Sequence, residues 1–166
     1  MFKKILLVAA LIFPMLASAQ SLKIGLVDTQ DIVMKMPDTA TAQKQIEEIS
    51  KKYDEEYKKL QDEMQRMYDE IRNMKEDELP AIKERKTREF TDYQQKIGQF
   101  EQQAMNDLQQ QQQTLMAPIQ QKVRTAIEAV AKEGAFSYIQ EKAAVIYFDA
   151  PVVDVTPQVK AKLGIQ

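Results

Sequence analysis

The 166-residue chain has no cysteine, no histidine and no tryptophan, and only four glycines. Without cysteine there are no disulfide staples, no thiolate nucleophile and no Cys-based zinc site. Without histidine the commonest general acid–base and the commonest metal ligand are missing as well. The four glycines form no phosphate-cradling GxxxxGK[ST] pattern, which argues against an ATP-driven machine of that type. A basic excess is also lacking. Beyond residue 19 there are 21 basic and 25 acidic residues, the wrong balance for a nucleic-acid binder. No catalytic residue, metal ligand or cofactor-binding pattern can be nominated, so the functions left are those of a binding or structural protein.

Long apolar runs are scarce too, and the one present lies at the N-terminus. In "MFKKILLVAALIFPMLASA" two lysines precede an apolar stretch, Ile5–Leu16, and Ala17-Ser18-Ala19 supplies small residues at cleavage positions. This pattern is that of a secretory signal peptide over residues 1–19, too short for a membrane span. No Cys follows to carry a lipid. An exported chain without cysteine must draw its stability from packing or assembly.

What is abundant is helical periodicity. The segment "SLKIGLVDTQDIVMKMP" opens with a strand around Ile24 and Leu26. Asp28 or Thr29 then caps a short helix carrying Ile32, Val33 and Met36, which Pro37 ends. From caps at Asp38 or Thr39, apolar residues recur at Ala42, Ile46, Ile49 and Tyr53. They recur again at Tyr57, Leu60, Met64, Met67, Ile71 and Met74, a heptad seam with a stutter between the two tyrosines. The acidic "EDELP" interrupts it, and Pro80 is suited to start a second helix. There the stripe continues through Ile82, Phe90, Tyr93, Ile97, Phe100, Ala104 and Leu108, then Leu115 to Val130, with Gly134 as the C-terminal cap.

Two heptad runs with a short break predict an antiparallel hairpin over residues 38–133, its tip near 77–80. An arm of about 37 residues would reach roughly 55 Å. Pro118 falls opposite the start of the first arm helix, where the second helix is expected to join the body. That body, residues 20–37 and 134–166, reads as strands, "FSYIQEK" and "AAVIYFDAPVV", closed by a helix "TPQVKAKLG" capped at Thr156. Val145, Ile146, Tyr147 and Phe148 are apolar on both faces and want burial on both. Three strands per chain make a marginal core, so oligomerisation through Ile24, Leu26 and Val145–Phe148 is expected. The fold class is therefore α+β: a helical hairpin projecting from a small β body completed by assembly.

The order "KIGLVDTQDIVMKMP", Gln/Glu/Lys-rich hairpin, "IQQKVRTAIEAVAKEGAFSYIQEKAAVIYFDA" and "DVTPQVKAKLG" resembles the OmpH/Skp family of periplasmic chaperones. The resemblance implies a homotrimer whose strands share a small barrel. Three arms would enclose a cavity in which unfolded outer-membrane proteins are held without ATP before membrane insertion. One departure matters. The best-known relative is basic, whereas residues 38–133 here carry 16 basic and 20 acidic residues. Lipopolysaccharide binding and charge-led capture are not carried over.

The seam set Leu60, Met64, Met67, Ile71 and Met74 is read as packing against Phe90, Tyr93, Ile97 and Phe100, compliant because of its methionines. Client contact is then assigned to off-seam apolar residues: Tyr68, Leu79, Met105 and Met116. The "KERKTR" patch, Lys83, Arg85, Lys86 and Arg88, is either a solvated face balanced by Glu76, Asp77 and Glu78 or a contact for anionic lipid or acidic clients. Gly98, mid-helix, is either a soft point in the arm or a neutral small residue. The rival to a holding chaperone is a structural coiled-coil spacer of the cell envelope.

Overall fold

The computed structural model describes residues 22–148 and 151–165; the expected signal peptide lies outside them. The element order is β1 (Ile24–Val27), α1 (Thr29–Lys35), α2 (Pro37–Arg72), α3 (Pro80–Glu133), β2 (Tyr138–Glu141), a 3₁₀ turn (Lys142–Ala144), β3 (Val152–Asp154) and α4 (Thr156–Leu163). Two long antiparallel helices and one small sheet make an α+β chain. At about 1.5 Å per residue, the 36 residues of α2 extend about 54 Å.

The sheet has the order β2-β1-β3, and both pairings are parallel. Ile24 lies opposite Tyr138 on one side and Val152 on the other. A parallel neighbour needs a crossover, and here the crossover from β1 to β2 is the entire hairpin. Because β1 is central, Gly25 is crowded: a Cβ there would lie 3.0 Å from Ile139 and 3.3 Å from both Phe136 and Val155.

The core sits where this sheet, α1, the base of α3 and α4 converge. Val27, Ile32, Met36, Ala42, Ile119, Val123, Ala126, Val130, Val155 and Val159 form one buried cluster. The residues spaced by threes and fours in α3, Ile119 to Val130, give the helix one apolar face toward it. Polar groups lock the N-terminus of α1 from distant parts of the chain. The Asp28 carboxylate accepts from the Asp31 amide at 2.8 Å. The Asp28 amide donates to the Thr156 hydroxyl at 2.9 Å, and the Thr29 amide donates to the Glu141 carboxylate at 3.2 Å.

Several expectations need correction. The third strand is Val152–Asp154, not Val145–Phe148; Val145 closes the 3₁₀ turn and Ile146–Phe148 lie outside any strand. Within one chain β1 has only two edges, and β2 and β3 occupy both, so the apolar run does not pair with β1. Helix α2 starts with Pro37 in its first turn and Met36 as a cap without a side-chain bond, so neither Asp38 nor Thr39 caps it. The proline that ends α1 also begins α2, since its missing N–H costs nothing in a first turn. The cap of α4 is Val155, with Thr156 already helical.

The tip also differs from expectation: Asn73–Leu79 separate the helices, a longer loop than the heptad break suggested, and Met74 lies in it rather than on the helical seam. Leu79, preceding Pro80, is extended (φ −57°, ψ 130°), the conformation a following proline favours, and α3 starts at Pro80.

Candidate functional site

Side chains that cross the hairpin set its register from base to tip. At the base Lys122 pairs with Asp38. Midway, the Tyr53 hydroxyl donates to the Asp107 carboxylate at 2.8 Å, and its ring lies 5.9 Å from Phe100. The bond to Asp107 pushes the Tyr53 hydroxyl above its ordinary pKa, and Glu101 does the same to Tyr57. Both tyrosines flank the expected stutter, where aromatic bulk spans the changed spacing. Near the tip Lys86 pairs with Glu70 and holds that carboxyl below its usual range.

Between these bridges the seam is only partly closed. Ile97 and Ala104 are buried, at 7% and 8% exposure. Leu60, Met64, Met67, Ile71, Met74, Phe90, Tyr93 and Phe100 are half-buried. Two helices cover each other along one line and leave both flanks of that line open, so a two-helix seam is also a surface. Sequence reasoning treated packing and exposure as alternatives; in a hairpin the same methionines do both.

The proposed contact residues fall in two environments. Tyr68, Leu79 and Met105 are exposed on the arm, with the Tyr68 ring 6.2 Å from Phe90. Met116 is not off the packing surface as expected. It is half-buried and packs against the core cluster at the hairpin base, because the hairpin there meets α1 as well as its partner helix. Every basic residue of "KERKTR" has an intramolecular partner. Lys83 donates to the Glu76 carbonyl at 3.2 Å, Arg85 pairs with Glu89, Lys86 with Glu70 and Arg88 with Glu84. Gly98 is exposed, and a Cβ there would meet nothing within 4 Å.

At the body, Leu26 is buried and Ile24 and Val145 are half-buried. The next three residues are not covered: Ile146 is fully exposed at 103%, Tyr147 at 80%, and Phe148 is exposed too. Tyr138 on β2 and Val153 on β3 add exposed apolar surface at both sheet edges. Sequence reasoning missed a further feature. An open groove of about 680 Å³ runs along the first turns of α2, walled by Val33 and Met34 of α1 and by Leu115 and Met116 of α3. Its sequence signals were Met116, already singled out as lying off the hairpin seam, and Met34, an apolar residue off the buried face of α1.

Among the described residues no group of three or more acidic side chains is placed to hold a metal, and no helix is long and apolar enough to cross a membrane. The described surface carries exposed apolar side chains on the arm, at the sheet edges and over Ile146–Phe148. Compared with known families, residues 23–163 match the one described as "Outer membrane protein (OmpH-like)". The chain belongs to the OmpH-like family. Its match covers the sheet, the hairpin and α4 together, and the family is one of periplasmic, oligomerising chaperones for outer-membrane proteins. Among curated proteins the chain finds no significant match.

Proposed function

We propose that this OmpH-like chain is an ATP-independent holding chaperone of the periplasm. It acts as a homotrimer that keeps unfolded outer-membrane proteins between its arms until they insert. The observation that carries this reading is the family match over residues 23–163, since it spans the body and the arms at once. Two features support it. The exposed Ile146–Phe148 segment and apolar sheet edges suit burial against sister chains. The half-open, methionine-rich seam suits a partner of no fixed shape.

The energetics fit holding rather than trapping. Each apolar client side chain buried on an arm contributes about 1.5–3 kcal/mol at most, less the cost of ordering it. Several arms on one client multiply weak contacts through effective concentration. Release needs no nucleotide, because a client that folds withdraws its own apolar surface. Client contact by Tyr68, Leu79 and Met105 belongs to this proposal. The "KERKTR" patch does not: three of its four cations pair with hairpin carboxylates and Lys83 with a backbone carbonyl, which favours a solvated face over an anionic-lipid contact.

The test is dilution of a denatured porin-type barrel into buffer with and without the mature protein, followed by light scattering and no nucleotide. The expected result is suppressed scattering at about one client per three chains. Undiminished aggregation at excess protein would reject the chaperone and leave the envelope spacer.

A further inference from the structure

The groove at the hairpin base is open, apolar within and edged by polar groups. Val33, Met34, Ala42, Ile46, Leu115 and Met116 supply its walls; Glu47, Lys51 and Asp54 stand along its rim on α2. Met34 is 64% exposed at its mouth. Thr39 lines the same groove, only 3% exposed, and its hydroxyl oxygen has no hydrogen-bond partner among the described residues. A buried, unbonded hydroxyl beside an apolar groove is a place where a ligand's polar group can be satisfied. The volume, about 680 Å³, is in the range of formed binding sites, about 300–1,000 Å³.

We infer that this groove binds one extended segment of an unfolded polypeptide, uncharged or basic, with apolar side chains at alternate positions. The inference rests on the holding-chaperone reading and assigns that activity a defined subsite. Helix geometry makes the fit. Ala42 and Ile46, four residues apart on α2, are separated by about 6 Å along the axis. Alternate side chains of an extended chain repeat at about 6.6–6.8 Å. Two successive inward side chains of such a segment therefore fall close to the spacing of two successive positions in the groove, with Thr39 on the same wall. The charge of the rim selects among such segments: two carboxylates stand against one ammonium, so a flanking lysine or arginine is favoured and an acidic segment is disfavoured.

The test uses the mature full-length protein and fluorescein-labelled twelve-residue peptides of alternating Val and Thr, ending in two lysines or two glutamates, read by anisotropy. The lysine peptide is expected to bind at least tenfold tighter than the glutamate one. Ser50→Trp, which fills the groove from its half-exposed wall, and Met34→Lys, which puts a charge at its mouth, should each weaken the lysine peptide at least tenfold with unchanged circular dichroism. Met34 is solvent-exposed, so that variant tests the idea even where Ser50→Trp fails to fold.

A photo-crosslinker at Gln43 should capture the peptide more efficiently than one at Tyr68. Equal binding by Met34→Lys and the parent protein, or capture favouring Tyr68, would overturn the groove. Suppression of barrel aggregation, measured in parallel, separates the two ideas. Its survival in both variants with peptide binding intact removes the subsite and leaves the chaperone standing.

Discussion

Ala135 has a φ of +50°, the one non-glycine residue among those described in the left-handed region. It ends α3 in a Schellman arrangement: the Phe136 amide donates to the Ala131 carbonyl at 2.9 Å, and the Ala135 amide to the Lys132 carbonyl at 3.3 Å. Gly134 is the C-cap of α3, as its sequence position suggested, but its backbone is right-handed (φ −85°) and the left-handed residue is the next one. The lack of a side chain at Gly134 serves space instead, since a Cβ there would lie 2.4 Å from the Phe136 ring. The two positions therefore respond oppositely. Ala135→Gly removes a left-handed cost of about 1–2 kcal/mol and adds unfolded-state entropy worth about 0.5–1 kcal/mol. A net gain of about 0.5–1 kcal/mol is expected in denaturant unfolding, whereas Gly134→Ala should lower stability by displacing Phe136. At Gly98 the space is open, so Gly98→Ala should stabilise the arm by about 1 kcal/mol. If that glycine is a soft point, spin labels on the arm tips will also show a narrower distance distribution; an unchanged width assigns it as a neutral small residue.

At the scale of elements, the junction of α1 and α4 is electrostatic as well as apolar. Asp31 of α1 pairs with Lys160 of α4 and, at 3.2 Å, with Lys35. Hydrogen bonds from Lys160 and then Lys35 hold the Asp31 carboxyl below its usual range. Asp154, just before α4, is lowered by its bonds to Thr156 and by Lys142. Both carboxylates bind protons less readily in the folded chain than in the unfolded one. Their stabilisation is present above the unfolded pKa, about 3.9, and is lost as pH falls through the lower folded values. Thermal midpoints should therefore fall as pH is lowered below about 4. Asp31→Asn should lower the midpoint at pH 7 and flatten that acid limb; a limb of unchanged steepness would assign the acid sensitivity elsewhere. The exposed pairs along the arm, such as Arg66 with Glu63 at 2.6 Å, belong to a class worth about 0–1 kcal/mol and are expected to matter little.

For the molecule as a whole, the proposed trimer makes the strongest demand. A short three-stranded sheet with uncovered edges and a fully exposed Ile146 gains stability once sister chains cover it. The mature protein should sediment with the mass of three chains, and its thermal midpoint should rise with concentration. Ile146→Asp, at a position that touches no core within one chain, should shift the population to single chains and cut aggregation suppression by at least tenfold. A folded, monodisperse monomer in the parent protein would dismiss the assembly and with it the cavity.

The amino-acid sequence by itself determined the hairpin. A heptad of apolar residues, a single break before Pro80 and the polar remainder leave two long helices no other way to bury their stripes. It also determined the outline of the body, because β-branched runs and a proline-led final helix are local signals. Tertiary structure decided what depends on partners distant in the chain. Val152–Asp154 takes the free edge of β1 and leaves Ile146–Phe148 without a strand. Thr156 and Glu141 close the N-terminus of α1 from more than a hundred residues away. Leu115 and Met116 meet Val33 and Met34 to wall a groove. Periodicity reports which face of a helix is apolar; it does not report which other segment arrives to cover that face, or how much of it stays open.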